Sequence, residues 1–359
     1  MSTSLASMLR ALERAFPALE EVVRVDVEDG GGLGLTATGA GTTRWFTHGE
    51  GGLVECFPAR DARLPLAAWL QTNREWRVLS YRPGRRVVVL VKQGDEPRVF
   101  KGHKKSRSTR AAAHQRIAEG AMDHGAFRVP HLLRRDGEHE ALVFEFLSGD
   151  EVTLGQESAP AYARLGQQLA LFQKERAAAE LEVFDVRAEL EVLERWQRKV
   201  VLALGALPEG WSEAHARLEH GARALPAAEL GLCHRDLHDR QVHLARGHGG
   251  ADVAVLDFDL LCRADVALDP GNLVAHLRWR GHQRLHGADE ASARVLSSAF
   301  LGALARDEEP GFRSRLAFYS ASALLRIALV YRLRPRWSAG ARELIAWAHE
   351  ALDDLVPIP

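Results

Sequence analysis

Between Leu230 and Asp269 the chain reads LGLCHRDLHDRQVHLARGHGGADVAVLDFDLLCRADVALD, and its acids and amides are spaced for work on phosphate. Asp236 follows a short apolar run, the amide Gln241 comes five positions later (241 − 236), and the strand Val253 to Leu256 delivers Asp257-Phe258-Asp259. A nucleoside triphosphate carries several negative charges, so divalent cations must bridge its phosphates, and such cations prefer hard oxygen ligands. Asp257 offers a carboxylate and Gln241 an amide oxygen for that purpose. Asp236 is then left to orient an acceptor hydroxyl and take its proton, since catalysis of this kind is mostly positioning and charge stabilisation. His234, His238 and His243 invite a zinc reading, but the sequence holds no H-E-x-x-H and the nearby acids suit magnesium better. His234 reads as a structural residue of the loop, and Asp259 as a loop cap or a support for the metal ligands. Asp269, followed at once by Pro270, has the signature of a helix N-cap. Asp265 and Asn272 receive no role.

The elements that must position these groups are legible from periodicity. An amphipathic helix opens the chain, with Leu5, Met8, Leu9, Leu12 and Phe16 on one face. Two strands around a turn at Asp29 and three glycines follow, then a strand or hairpin over 44–57. Val87 to Val91, a polar turn from Gly94 to Pro97, and Val99 to Lys101 predict a hairpin whose second strand ends in lysine. A helix over Thr109 to His124 and an apolar strand from Leu142 to Gly149 complete a small mixed sheet. From about Glu157 onward apolar residues recur at three- and four-residue steps, apart from the β-rich insert that carries the acids. The predicted fold is α+β and bilobal: residues 1–75 an extension or cap, 76–149 a β-rich, nucleotide-binding N-lobe, and 150–359 a mainly helical C-lobe, with a hinge near Leu147.

HRDLHDRQ and DFD match the H-R-D-x-x-x-x-N and D-F-G of the protein kinases. The chain resembles more closely the aminoglycoside phosphotransferase and choline kinase-like family of that superfamily, where the catalytic loop is H-G-D-x-x-x-x-N, often with a histidine placed as His238 is. Gln241 in place of asparagine is similar to maltokinase-like members. The segment from Asp265 to Leu277 also resembles the family's, where an aspartate such as Asp269 begins a helix and braces the catalytic loop. The resemblance implies a protein kinase-like fold, ATP or another nucleoside triphosphate and Mg²⁺ as cofactors, and a small-molecule hydroxyl as acceptor. It implies Lys101 on the α- and β-phosphates, with Lys104 and Lys105 as rivals, and Glu145, Phe146 and Leu147 as the hinge that meets the adenine edge. His238 is counted with the nucleotide-binding residues. The lysine's partner glutamate is expected near Gln115, where the nearest acid is Glu119. No G-x-G-x-x-G is present; YRPGRR, Tyr81 to Arg86, is expected to turn over the phosphates with arginines in place of backbone amides, Arg85 making the contact.

Composition bounds the alternatives. The formal charge of −1 recommends neither nucleic acid nor an anionic membrane as partner. Cys56, Cys233 and Cys262 are odd in number and lack CxxC spacing, which argues against a disulfide framework and a zinc ribbon. Arg10, Glu13 and Arg14 interrupt any signal-peptide core, and no apolar run reaches a membrane span, so the expected compartment is the cytoplasm. Arg326, Arg332, Arg334 and Arg336 with Trp337 read as a solvated helix end, or else as arginines lining an acceptor pocket that would suit a neutral or anionic molecule. The reading is therefore a kinase of a sugar, antibiotic or similar metabolite. The alternative is a pseudokinase, suggested by Gln241, the missing glycine-rich loop and the unsecured glutamate. Protein kinase activity fits less well, because no A-P-E closes an activation segment.

Overall fold

Period-two alternation builds the amino-terminal half and period 3.6 the rest. The computed structural model describes residues 5–28, 32–49, 52–73, 75–92, 96–175, 181–247, 250–306 and 309–355. The turns expected at Asp29 and Gly94 lie outside them. Helix α1 (Leu5–Ala15) buries Leu5, Met8 and Leu12, the predicted face, against an antiparallel meander of β1 (Glu21–Val27), β2 (Leu33–Gly39), β3 (Thr42–Gly49) and β4 (Gly52–Cys56). A short helix, α2 (Leu66–Thr72), leads into a five-stranded antiparallel sheet of order β5-β6-β7-β9-β8, made of β5 (Trp76–Arg82), β6 (Arg86–Lys92), β7 (Pro97–His103), β8 (Leu132–Asp136) and β9 (Ala141–Glu145). Helix α3 (Ser108–Met122) joins β7 to β8.

The apolar strand expected to reach Gly149 stops at Glu145; Gly149–Glu151 forms β10, which pairs with β13 (Val242–Gly247) in a separate sheet closed by β14 (Gly250–Val255). Residues 146–148 are the crossing between the two halves. Beyond it lie α4 (Ala159–Phe172), the two-residue strand β11 (Val183–Phe184), α5 (Val186–Leu204) and α6 (Trp211–Arg223). Strands β12 (Leu230–Cys233) and β15 (Cys262–Asp265) flank the catalytic insert. Helices α7 (Leu268–Gln283), α8 (Glu290–Leu304), α9 (Phe312–Arg332) and α10 (Ala341–Asp353) complete the chain. Local chemistry sets several boundaries: the Asp185 carboxylate accepts from the Ala188 N–H at 2.8 Å to start α5, and Asp289 with Ser292 forms a reciprocal capping box on α8. The main apolar core lies among these helices, around Trp211, Trp279, Phe300 and Phe318. One close approach matters for the site. A Cβ on Gly271 would stand 2.7 Å from the Tyr319 Cβ, so glycine is what lets α9 seat directly on α7.

The first meander is fastened to both halves. The Val25 N–H donates to the Leu333 carbonyl at 2.8 Å, and the Arg24 guanidinium donates to the Tyr81 carbonyl at 3.3 Å. Among the described residues no helix is long and apolar enough to cross a membrane.

Candidate active site

The register of β6 and β7 decides which basic groups meet the acids. Val88 pairs with Lys101 and Arg86 with His103, so these four residues share one face of the sheet, opposite the buried Val87, Val89 and Val91. On that face the Lys101 ammonium lies 2.6 Å from Asp257 Oδ1 and 2.6 Å from Asp259 Oδ1. The Arg86 guanidinium lies 3.0 Å from Asp257 Oδ2 and 3.5 Å from Asp259 Oδ2. Burial pushes the Asp257 carboxyl up, but Lys101 and Arg86 outweigh it and hold it well below the usual carboxylate range. Asp257 has φ 69°, a left-handed backbone that turns both aspartates of the motif toward the lysine. Asp259 thus stands beside Asp257 on the cations, a more direct position than a capping role gives it.

Arg86, unassigned in the sequence reading, is the arginine that meets the acids; Arg85 is exposed in the preceding turn. That turn is pinned from the meander side: the Asp61 carboxylate accepts from the Tyr81 hydroxyl at 2.8 Å and from the Gly84 N–H at 2.5 Å. Gly84 has φ 67°, a left-handed backbone that calls for glycine, and lies under the Arg63 guanidinium. Lys104 and Lys105 are exposed beyond β7. Neither α3 candidate for the lysine's partner reaches it: Gln115 donates to the Pro130 carbonyl at 2.7 Å, and Glu119 accepts from the Leu132 N–H at 2.5 Å. The acids on Lys101 are Asp257 and Asp259.

The catalytic loop hangs from α7. Asp269, fully buried, accepts from the His234 N–H and the Arg235 N–H, each at 2.7 Å. The helix begins one residue earlier, at Leu268, and the Asp269 side chain reaches across to the loop instead of capping. The two bonds hold Arg235 at φ 72°, a conformation costing about 1–2 kcal/mol outside glycine, with its guanidinium 3.8 Å over the Phe184 ring. His234 Nε2 contacts the Leu256 carbonyl at 2.8 Å and its Nδ1 accepts from the Asp236 N–H at 3.2 Å, an arrangement that ties Asp236 to the strand carrying Asp257. The His234 ring packs on Phe258, which lies against Phe127 and Phe172.

Asn272 on α7 donates to the Leu237 carbonyl at 2.7 Å and accepts from Arg326 on α9. Arg326 also approaches Asp236, 3.9 Å away, and its side chain is largely buried, so it serves the loop and is no solvated helix end. In the sequence Arg326 stands among the arginines offered as acceptor-pocket lining, while Asn272 shows only its place on a core helix. His238 turns its Nδ1 onto the Arg240 N–H at 3.1 Å, and burial lowers its pKa, with neighbouring Asp236 and Asp239 pulling the other way. The Gln241 carbonyl accepts from the Leu256 N–H at 3.0 Å, which sets this residue beside the strand that delivers Asp257. At the hinge, the Glu145 N–H and carboxylate are both engaged with His131, at 3.1 and 3.0 Å, while Phe146 is exposed and Leu147 half-buried.

The donor set fits a divalent cation: carboxylate oxygens of Asp257 and Asp259 already converge on one point charge, the Lys101 ammonium. A lysine-bearing sheet, a hinge and a helical half that carries Asp236 on a braced loop together with the lysine's two acids make this a kinase-like phosphotransferase. The chain belongs to the phosphotransferase enzyme family, whose sequence pattern matches residues 71–318. A choline/ethanolamine kinase family protein from Mesorhizobium loti superimposes with a TM-score of 0.54 at 18% identity, covering 82% of this chain and 93% of that one. An aminoglycoside-3'-phosphotransferase of type VIII gives 0.54 at 20% identity, with 74% and 97% covered. The GDP complex of an aminoglycoside 2'-phosphotransferase IIIa mutant gives 0.50 at 15%, with 80% and 95% covered. No curated protein matches. The likenesses are of fold, and they bear out the bilobal, β-then-helical architecture.

His103 adds a measurable consequence. It is buried beside this cluster, and burial pushes its imidazole down to about 4 despite the attraction of Asp259. A histidine lowered in the fold protonates first in the unfolded chain, so its share of stability is complete above pH 6.5 and is lost as pH falls from 6.5 toward 4. Urea unfolding should show wild type losing roughly 1–2 kcal/mol more than His103→Asn between pH 7.5 and 5. Parallel losses in the two proteins would remove His103 from the account.

Proposed function

We propose that the protein is an ATP-dependent, or GTP-dependent, small-molecule kinase that moves the γ-phosphoryl group onto a hydroxyl of a sugar, antibiotic or related metabolite. The observation that carries this reading is the convergence of Lys101, Asp257 and Asp259, with Asp236 held by its N–H to His234 Nδ1 and within electrostatic reach of Arg86, which pairs with the same acids. The neighbour solved with GDP supports nucleotide binding in the same cleft.

In the proposed reaction the Asp236 carboxylate accepts the acceptor's O–H hydrogen bond and takes its proton as the new oxygen–phosphorus bond forms. The bond from the γ-phosphorus to the bridging oxygen breaks, and the nucleoside diphosphate leaves with that electron pair. Asp257, Asp259 and Gln241 would hold magnesium, which when bound supplies charge for the phosphate oxygens. Lys101 and Arg86 bring positive charge to the phosphates, and the pinned Tyr81–Arg86 turn keeps that charge at a fixed height over the cleft. Glu145 and Leu147 would meet the base edge through their backbone.

A coupled ADP- or GDP-release screen over hydroxylated metabolites and antibiotics tests the reading; no turnover with any acceptor, despite bound nucleotide and magnesium, would favour the pseudokinase instead. Lys101→Met should lower kcat/KM for the nucleotide by about 100- to 1000-fold, the usual scale for removing one charged donor from a transition state. A variant within threefold of wild type would take Lys101 off the phosphates.

A further inference from the structure

A cleft of about 180 Å³ opens beside the catalytic loop, and arginine dominates its wall: Arg240 from the loop, Arg280 from α7, and Arg334 and Arg336 from the segment after α9. Glu21 and Val23 of β1 close the far side. Arg280 is almost fully buried, fixed by Asp239 at 2.8 Å and by the Tyr331 hydroxyl at 2.8 Å. Gln283, also a wall residue, is equally buried; its side-chain oxygen accepts from Arg280 at 2.7 Å, and its amide nitrogen is buried with no hydrogen-bond partner. Among the described residues Arg240 and Arg334 have no ion-pair partner, Arg334 stacks over the Tyr331 ring at 4.7 Å, and Arg336 meets Glu21 only at the exposed rim, 4.0 Å away. The wall therefore holds more positive charge than its own acids neutralise, with four arginines lining one small volume.

Asp236 and Arg240 are four positions apart, so their Cα atoms are at most about 14 Å apart even along an extended chain. A single helical turn over Asp239–Gln241 keeps this stretch from full extension, so the two residues lie inside that limit. We propose that the acceptor carries an anionic group, a phosphate or a carboxylate, and that Arg240, Arg280, Arg334 and Arg336 hold it in this cleft while its hydroxyl lies at Asp236. The proposal rests on the kinase reading and names its substrate class. Guanidinium forks suit bidentate recognition of either anion, and the same charges repel an ammonium-bearing acceptor, so one wall serves both attraction and exclusion. The volume is small for a whole ligand and right for one charged group.

The test compares matched acceptors in ADP-release kinetics, each hydroxylated scaffold offered in neutral, phosphorylated, carboxylated and amino forms. The anion-bearing member should have kcat/KM at least tenfold above the neutral one, the phosphate and carboxylate arms deciding which anion is preferred. Arg240→Gln/Arg336→Gln, two exposed sites whose replacement spares the buried Arg280 pair, should raise that acceptor's KM tenfold or more, the loss lying in KM much more than in kcat. Preference for the neutral or amino member, or a double variant with unchanged KM, overturns the proposal. Inorganic phosphate titrated into protein saturated with AMP-PNP and magnesium reads the cleft without turnover. Calorimetric binding that disappears in the double variant supports the anion site even where no acceptor is phosphorylated, a result that would count against the kinase reading alone. Equal phosphate binding by both proteins overturns the site.

Discussion

Asp236→Asn should lower kcat by about 1000-fold while leaving nucleotide affinity within a few-fold of wild type, because general-base removal acts on the proton and not on the phosphates. The geometry makes the substitution a clean one. The Asp236 backbone is held by its N–H to His234 Nδ1, and its side chain lies 3.9 Å from Arg326 and within electrostatic reach of Arg86. Asparagine keeps the size and loses only the negative charge and the ability to take a proton. Single-turnover phosphorylation, read alongside nucleotide binding by calorimetry, separates the two effects. Turnover equal to wild type would show that Asp236 is not the base; a parallel loss of nucleotide affinity would show that it serves the nucleotide side of the cleft.

The acids of this site were legible because their spacing reflects a local device: a loop, a short strand pair and a second loop. Asp236, Gln241 and Asp257 all fall within one insert, and its strands follow from alternation. Lys101 was legible for a related reason, as the polar end of an apolar strand. Arg86 was missed in favour of Arg85, although strand parity held the signal: Val87, Val89 and Val91 are the buried set, so the even positions turn to the other face, and Arg86 falls with Lys101. Asp259 was undervalued because nothing in the sequence announces the left-handed turn at Asp257 that swings both carboxylates toward one ammonium. Spacing offers Arg326 as a possible pocket arginine, but nothing in it shows the contact that Arg326 and Asn272 make with the catalytic loop. They meet the loop only because α9 lies directly on α7 at Gly271, a tertiary contact between segments some fifty residues apart. The same holds for the meander over residues 21–56. Its strands were readable, but its bonds to Tyr81 on one side and Leu333 on the other depend on how distant segments pack.

Asp269→Ala should destabilise the protein by about 2–4 kcal/mol, the cost of stranding two buried backbone N–H groups, seen as a lower urea midpoint with an unchanged slope. Burial raises the Asp269 pKa, and the two backbone N–H bonds from His234 and Arg235 only partly offset that rise. The carboxylate is thus held where ionisation is unfavourable, and what it secures is conformational: two convergent acceptors that keep the His234 and Arg235 amides in place and Arg235 left-handed. Asp269→Asn distinguishes geometry from charge. One amide oxygen can still accept, but the NH₂ faces a second donor, so about half of the loss should remain together with a fall in kcat as the loop relaxes. If Asp269→Asn unfolds like wild type and turns over like wild type, the brace is not what aims Asp236, and the positioning must come from Asn272 and Arg326 instead.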